Sequence, residues 1–268
     1  MKRAAVLTDI SGLGNCSGSA NCAILSALGV EPCLLPTAVL SAQTGFEQHT
    51  FSVLEDAFCK SCESLIKLSP SLDAVYVGFV TNERQFAAAA SLAQHFSKRG
   101  AAVVYDPIIG DGGERFSFIG QELFERIKSL AKTADVITPN VTEFCLLCSA
   151  EPVSDIETLS KLCREYVKGS RRTVIVTGIG QESGISVIVC DSERLSVHTA
   201  KKYGGSYSGT GDIFTSFICA AAAKREDLHK AAKTAADFIS RTLQKHAAEI
   251  TDRNYGIPFQ EELARINA

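Results

Sequence analysis

Gly209-Thr210-Gly211-Asp212 runs directly into the apolar stretch Ile213-Phe214-Thr215-Ser216-Phe217-Ile218, which predicts a tight turn followed by a buried helix. Glycines have no Cβ, so the backbone N–H groups of the turn can approach a ligand closely. The helix adds unpaired N–H groups and the positive end of its dipole, which together bind phosphate. Asp212 falls in the first helical turn, where we expect it to be ionised and able to accept a proton from a hydroxyl group. The stretch favours phosphoryl transfer to an alcohol, although a plain turn with a dipole-compensating carboxylate has the same sequence.

Outward from this stretch, short β-like runs alternate with longer amphipathic segments. The alternation predicts an α/β fold with three layers, in which helices cover both faces of a mostly parallel central sheet. The predicted strands are 3–8, 31–35, 74–77, 101–105, 136–138, 173–177 and 186–190. The predicted helices are 16–28, 54–68, 83–98, 119–132, 141–148, 156–169, 212–223 and 228–246. Without a repeat or a linker-like segment, the sequence predicts a single domain over residues 1–268.

The composition is that of an ordinary soluble globular protein, with 46% hydrophobic and 21% charged residues. A formal net charge of −3 argues against nucleic acid or an acidic membrane surface as the main partner. No stretch is long and apolar enough to span a membrane, and the first apolar run, Ala4-Ala5-Val6-Leu7, is too short for a signal peptide. We therefore expect a cytoplasmic protein that binds a small-molecule substrate.

Ten cysteines include two C-x-x-C units, Cys59-Lys60-Ser61-Cys62 and Cys145-Leu146-Leu147-Cys148. Each unit could supply half of a structural zinc site. Their separation is far greater than the spacers of zinc ribbons and fingers, and cysteines three residues apart in an apolar helix are typical of core positions. The pattern favours core packing over zinc.

Gly12-Leu13-Gly14 precedes a predicted helix and is similar to the start of a dinucleotide-binding fingerprint. The third glycine, Gly18, comes one residue too late, and no acidic residue ends the second predicted strand to hold a ribose. We interpret Ser11 and these glycines as a turn that lets a small ligand approach the backbone.

Polar residues follow several predicted strands at their carboxyl ends, where parallel sheets bind ligands. Asp106 ends one strand just before Pro107, and Thr177-Gly178 ends another. Asn140 and Glu143 have the spacing of a capping box that opens a helix. The same pair could hold Mg²⁺ through water, because this ion keeps much of its hydration and needs only one or two carboxylates.

Taken together in order, these motifs resemble the bacterial pyridoxal/pyridoxamine kinase family of the ribokinase-like superfamily over nearly the whole chain. The matching stretches are 8–14, 35–41, 43–45, 105–111, 137–143, 209–212 and, at the end, 254–259. The resemblance implies a Mg²⁺-dependent kinase that uses ATP to phosphorylate the 5′-hydroxymethyl group of a B6 vitamer: pyridoxal, pyridoxine or pyridoxamine. It also implies a role in vitamin B6 salvage and a homodimer.

The resemblance also implies a role for each candidate residue. Asp212 would be the catalytic base, and Gly209, Thr210 and Gly211 would form the anion hole. The substrate-binding residues would be Ser11, Thr44, Gly45 and Phe79. The ATP-binding residues would be Asp106, Asn140, Glu143, Thr177 and Gly178, with Glu143 and Asp106 also serving Mg²⁺. Such chemistry needs alignment and charge neutralisation more than covalent catalysis.

Three positions depart from the family pattern: Thr8 and Gln43, where relatives usually carry a histidine, and Phe79, where they commonly carry a tyrosine. Two alternatives therefore stay open. One is a kinase of hydroxymethylpyrimidine or a related heteroaromatic alcohol, and the other is a catalytically silent vitamer-binding protein. The glycine pair in Tyr203-Gly204-Gly205-Ser206-Tyr207 predicts a mobile segment beside the anion hole.

Overall fold

The structure, a computed structural model, describes residues 1–182 and 184–266. Its strands are β1 (Lys2–Leu13), β2 (Val30–Ala42), β3 (Phe51–Val53), β4 (Ala74–Val77), β5 (Ala102–Tyr105), β6 (Gly110–Asp111), β7 (Glu114–Arg115), β8 (Val136–Ile137), β9 (Thr173–Gln181), β10 (Gly184–Cys190) and β11 (Leu195–Ala200). Its helices are α1 (Ser17–Ala27), α2 (Glu55–Leu68), α3 (Glu83–Ser97), α4 (Gln121–Ala131), α5 (Val141–Cys148), α6 (Ile156–Val167), α7 (Thr210–Lys224), α8 (Leu228–His246) and α9 (Gln260–Ala264). A 3₁₀ turn, Arg253–Tyr255, precedes α9.

The main sheet has the strand order β11-β10-β9-β8-β5-β4-β1-β2-β3. The six strands from β9 to β2 in this order pair in parallel. Antiparallel strands extend the sheet at both edges. The carboxyl ends of the six parallel strands therefore meet along one edge of the sheet, which is where the loops of a ligand site are expected.

Helices cover both faces of this sheet, and each face has its own apolar core. In β1, Ala5 and Leu7 pack with α2 to α6 on one face, whereas Ala4 and Val6 pack with α1, α7 and α8 on the other. All four side chains have no exposed surface, so the strand is apolar without alternation, as in sheets buried on both faces. The predicted three-layer α/β fold with a mostly parallel sheet is confirmed.

The first two strands extend beyond the predicted 3–8 and 31–35. They stay paired to Leu13 and Ala42, with a register shift between Thr8 and Ile10. Ser11 and Gly12 therefore lie in a strand, and the predicted turn at these residues is wrong. The polar sequence Thr8-Asp9-Ile10-Ser11 is typical of a loop. It lies in a strand because the Thr8 and Ser11 hydroxyl groups hydrogen-bond to the Asp9 carboxylate at the end of the apolar core.

The C-x-x-C cysteines lie on helices and pack into the core. Cys59 and Cys62 of α2 and Cys145 of α5 are buried, and Cys148 is partly buried beside them in the same apolar layer. Within residues 1–182 and 184–266, no helix combines the length and the apolarity needed to cross a bilayer.

Candidate active site

The glycine turn has the geometry that its sequence predicts. Gly209 caps α7 with a φ of 78°, in the left-handed region, and a Cβ there would clash with the carbonyl oxygen of Asn15. A Cβ on Gly211 would meet no atom within 4 Å. Gly209 is therefore required by the fold, whereas Gly211 faces open space. Helix α7 begins at Thr210, two residues earlier than predicted, so that Asp212 lies in its first turn.

The Asp212 carboxylate is held at the junction of two helix N-termini. Its Oδ2 accepts a hydrogen bond of 2.9 Å from the backbone N–H of Ser17, the first residue of α1. Burial, with a smaller contribution from the Asp9 charge, raises the pKa of Asp212 to about 7, although the side chain keeps some exposure. Burial thus brings the pKa of this carboxyl group toward neutral pH, and its ionisation at that pH stays a prediction.

Asp106 follows the end of β5 and is close enough to Asp212 to feel its charge. Its side chain is buried, and its Oδ2 is 3.5 Å from both the Tyr76 hydroxyl and the Thr215 hydroxyl. Thr215 in turn lies 2.9 Å from the hydroxyl of Thr138. Burial and then the charge of Asp212 raise the pKa of Asp106 to about 7. Two neighbouring carboxylates that are poorly solvated disfavour each other's ionised form. A nearby cation would favour the ionised form of both.

Asn140 and Glu143 form the predicted capping box at the start of α5, and this prediction is confirmed. Asn140 Oδ1 accepts from the Glu143 N–H at 2.9 Å, and Glu143 Oε2 accepts from the Asn140 N–H at 2.8 Å. Glu143 Oε1 also accepts from the N–H of Ile109 at 3.2 Å. Burial and the charge of Asp106 nevertheless raise the pKa of Glu143 well above its ordinary value.

A cleft of about 640 Å³ opens at the carboxyl edge of the sheet. Gly209, Thr210 and Gly211 are among its lining residues, and so are Asn140, Thr177 and Gly178. Thr177 lies next to Asn140 through a parallel bridge, and its N–H donates to the Pro139 carbonyl at 2.9 Å. These predicted nucleotide residues are thus brought together. Asp106 and Glu143 are not among the lining residues and lie below the cleft surface.

Sequence reasoning missed the apolar wall of this cleft. It comes from β10 and α8, whose lining residues are Ile185, Val187, Ala236, Ile239 and Leu243. Lys201 and Lys202 line the cleft as well. An apolar wall in the same cleft as the backbone of the glycine turn gives the cleft both apolar and polar surface. The alternation of residues 195–200 was the available signal for the missed strand β11 that supports this wall.

The residues predicted to bind the substrate are not among the lining residues of this cleft. Ser11 is buried and its hydroxyl donates to Asp9 Oδ2 at 3.0 Å. Asp9 itself is buried and was given no role from sequence; burial raises its pKa, and hydrogen bonds from neighbouring hydroxyl groups lower it. Phe79 is half-buried, while Thr44 and Gly45 are exposed at the rim.

The glycine-rich segment 203–207 borders the cleft, since Tyr203, Gly205, Ser206 and Tyr207 are among the lining residues. This placement agrees with a segment that could cover a bound nucleotide. Its mobility stays a prediction.

The site also sets limits on metal binding. Among residues 1–182 and 184–266, no group of three or more His, Cys, Asp or Glu side chains is arranged to hold a metal ion. Within the same residues, no lysine or arginine forms an ion pair with Asp106, Glu143 or Asp212. Buried carboxyl groups without a paired cation fit Mg²⁺ that arrives with nucleotide phosphates and keeps most of its water.

Comparisons with known proteins agree with this geometry. The chain is similar to the hydroxymethylpyrimidine/phosphomethylpyrimidine kinase of Aquifex aeolicus, with 24% identity over 245 residues that cover 89% of this chain and 94% of the relative. It is similar to the pyridoxal kinase of Sus scrofa, with 25% identity over 270 residues, 91% of this chain and 84% of the relative.

A solved structure extends the likeness to three dimensions. A Bacteroides thetaiotaomicron protein, provisionally described as a phosphomethylpyrimidine kinase and crystallised with pyridoxal, superposes with a TM-score of 0.91 at 29% identity. The match covers 100% of this chain and 96% of that protein. The family model for phosphomethylpyrimidine kinase matches residues 18–257. The chain therefore belongs to the phosphomethylpyrimidine kinase family, and with its pyridoxal kinase relatives it is a ribokinase-like phosphotransferase that acts on an alcohol.

Proposed function

We propose that the protein transfers the γ-phosphoryl group of ATP to the 5′-hydroxymethyl group of a B6 vitamer. The observation that carries this proposal is the placement of Asp212: a carboxylate positioned by the Ser17 N–H, one residue after a glycine turn whose backbone faces an open cleft. A base and an anion hole are thus held on one helix N-terminus. Asp9 and Ser11 supply polar groups beside that base for a heteroaromatic ring.

In the proposed reaction, the hydroxymethyl oxygen attacks the γ-phosphorus of ATP. The bond between this phosphorus and the β–γ bridging oxygen breaks at the same time. The hydroxyl proton passes to the Asp212 carboxylate, and ADP leaves. The N–H groups of the glycine turn and the α7 dipole stabilise the charge on the transferring group. Because the pKa of Asp212 is about 7, the carboxylate can both exist at neutral pH and accept the proton.

ATP would occupy the cleft, with its base against the apolar wall and its phosphates toward Gly209 to Gly211. Asn140, Thr177 and Gly178 would border the phosphates. Mg²⁺ would neutralise phosphate charge, held through water by Asp106 and Glu143. Both Glu143 oxygens accept backbone N–H groups, so this residue would act at longer range than Asp106.

Two observations bear on the acceptor. The Bacteroides relative was crystallised with pyridoxal, and the pig relative is a pyridoxal kinase, which supports a B6 vitamer. The family description and the Aquifex relative support the second candidate, hydroxymethylpyrimidine. Both acceptors present a hydroxymethyl group on a flat nitrogen heterocycle, so the same base and anion hole serve either one.

The test is a panel assay of ATP-dependent phosphorylation with Mg²⁺ on pyridoxal, pyridoxine, pyridoxamine and hydroxymethylpyrimidine. The proposal predicts a higher kcat/KM on at least one vitamer than on the pyrimidine. A higher kcat/KM on hydroxymethylpyrimidine would make the pyrimidine the substrate and leave the proposed mechanism unchanged. Tight vitamer binding without turnover would instead support a silent binding protein.

A homodimer, a cytoplasmic location and a role in vitamin B6 salvage complete the proposal and are supported by the resemblance. Sedimentation of the purified protein tests the first: a single species of twice the chain mass of 28.6 kDa is expected, and a species of one chain mass would contradict it.

A further inference from the structure

Three segments outside the reacting groups meet around one side chain, Gln43. We name them the acceptor loop (residues 43–49), the glycine loop (residues 203–209) and the C-terminal turn (Arg253–Tyr255). The Gln43 Nε2 group donates to the Ser208 hydroxyl in the glycine loop. It also lies 3.4 Å from Asn254 Oδ1, and Gln43 Oε1 accepts from the Gly45 N–H. One amide therefore contacts all three segments.

The C-terminal turn contacts both loops independently. Asn254 Nδ2 donates to the Gly45 carbonyl at 3.0 Å, and the rings of Phe46 and Tyr255 meet edge to face at 5.1 Å. On the other side, the Arg253 carbonyl accepts from the Ser208 N–H at 3.2 Å. The turn thus bridges a loop at the acceptor side of the site and a loop at the nucleotide side.

The space around Gly45 shows how closely these groups fit. A Cβ at this position would clash with Asn254 Oδ1 and would lie 2.8 Å from Gln43 Oε1. Both atoms are ends of side chains, so an added methyl group would push the two amides away without any demand on the core. A substitution at Gly45 should therefore break the contacts among Gln43, Gly45 and Asn254 without disturbing the core.

We propose that Gln43 and Asn254 are positioning residues that couple the acceptor loop to the glycine loop, so that a nucleotide in the cleft orders the loop that borders the alcohol. This inference rests on the proposed function. The glycine loop ends at Gly209, and Ser208 lines the cleft. Phosphates bound in the cleft would therefore hold Ser208, which accepts from Gln43, in one position. The coupling works in both directions, because linkage between two binding sites is reciprocal.

Hydrogen exchange with ADP alone tests the coupling without any assumption about the alcohol. In the wild type, ADP is expected to slow exchange of the amides of residues 203–211 and also of Gly45 and Phe46. In Gln43→Ala and in Gly45→Ala, ADP is expected to protect residues 203–211 only. Gln260→Ala is the control, because the Gln260 side chain donates to Asn15 Oδ1, a residue outside both loops; it should keep both protected segments.

Steady-state kinetics separates positioning from a merely structural role. With the preferred alcohol of the panel, Gln43→Ala is expected to raise the KM for the alcohol at saturating ATP about fivefold or more, and to raise the KM for ATP at saturating alcohol by a similar factor, while leaving the Kd of ADP without alcohol within about twofold. Gln43→Met, which keeps the length of the side chain and loses both the donor to Ser208 and the acceptor for Gly45, should resemble Gln43→Ala. Adding Ser208→Ala to Gln43→Ala should cost less than the sum of the two single changes.

The outcomes are separable. ADP protection confined to residues 203–211 in the wild type, with normal turnover, would overturn the coupling and leave the proposed function in place. An unchanged alcohol KM in Gln43→Ala would also overturn it. A wild type that binds no ADP would overturn the proposed function, and the coupling would fail with it.

Discussion

At the scale of single residues, the two glycines of the proposed anion hole have opposite constraints. Gly209 has a left-handed backbone and no room for a Cβ, whereas Gly211 has free space. We predict that Gly209→Ala destabilises the protein and removes activity. Gly211→Ala should leave the free energy of unfolding unchanged or raise it by up to about 1 kcal/mol, since alanine favours a helix. It should still lower kcat/KM, because a methyl group would stand where the phosphoryl group approaches.

Denaturant unfolding and initial-rate kinetics on both variants check this prediction. Full activity in Gly211→Ala would mean that the transferring group does not approach this backbone.

The raised pKa of Asp212 predicts how activity depends on pH. Only the ionised carboxylate accepts a proton, so kcat/KM for the alcohol should fall about tenfold per pH unit below a midpoint near 7. Asp9→Asn should move that midpoint to lower pH, because the Asp9 charge is one cause of the shift. Asp56→Asn, at an exposed position of α2, is the control and should leave the midpoint unchanged. A midpoint near 4 in the wild type would contradict this account of the base.

The same shift predicts how stability depends on pH. A carboxyl group whose pKa is higher in the folded than in the unfolded state binds protons more tightly in the folded state. Its contribution is therefore complete at pH below the unfolded pKa near 4 and is lost as pH rises through about 7. Asp212→Asn should consequently gain more in Tm over the wild type near pH 8 than near pH 4, measured by thermal unfolding. An equal difference at both pH values would contradict the assigned pKa.

At the scale of elements, capping can be separated from nucleotide binding because two helices have comparable caps. Asn140 caps α5 within the candidate site, and the exposed Asp155 caps α6, where its Oδ1 accepts from the Thr158 N–H at 2.8 Å. Asn140→Ala and Asp155→Ala should each lower the free energy of unfolding by about 1 kcal/mol. Only Asn140→Ala should also raise the KM for ATP. An equal loss of activity in both variants would assign Asn140 to capping alone.

Elements also show what the sequence could predict. The helices 141–148 and 228–246 begin and end as predicted, because Asn140 and Asp227 cap them and the apolar periodicity is strong. The extensions of β1 and β2 could not be predicted, because Thr8, Asp9 and Ser11 are polar and the pairing depends on two segments distant in sequence. The short strand β3 has only three residues, Phe51–Val53, which are too few to establish a period, and all three are exposed.

At the scale of the whole molecule, the sequence could predict one part of the candidate site and not another. Loops at the carboxyl ends of parallel strands were predictable from the alternation of elements, and they converge as expected. The apolar wall from β10 and α8 could not be predicted. Its residues come from two elements that lie far apart in sequence, and only the folded structure shows that these elements are in contact. The contacts of Gln43 with Ser208 and Asn254 were hidden for the same reason, since these residues lie far apart in sequence.

A whole-molecule prediction concerns ligand-linked stability. A single domain with one nucleotide site should unfold in one cooperative transition, and ADP with Mg²⁺ at about a hundred times its Kd should stabilise it by about 2.7 kcal/mol. Scanning calorimetry with and without ADP measures both. Two separate transitions would contradict the single domain.

The central claim is that Asp212 is the base of a phosphoryl transfer to a heteroaromatic alcohol. Its most direct test compares the wild type with Asp212→Asn for turnover of the preferred alcohol and for ADP binding. We predict that the substitution lowers kcat by about 10²- to 10⁴-fold and leaves the Kd of ADP within about twofold. A variant that binds ADP and phosphorylates the alcohol at the wild-type rate would contradict the claim.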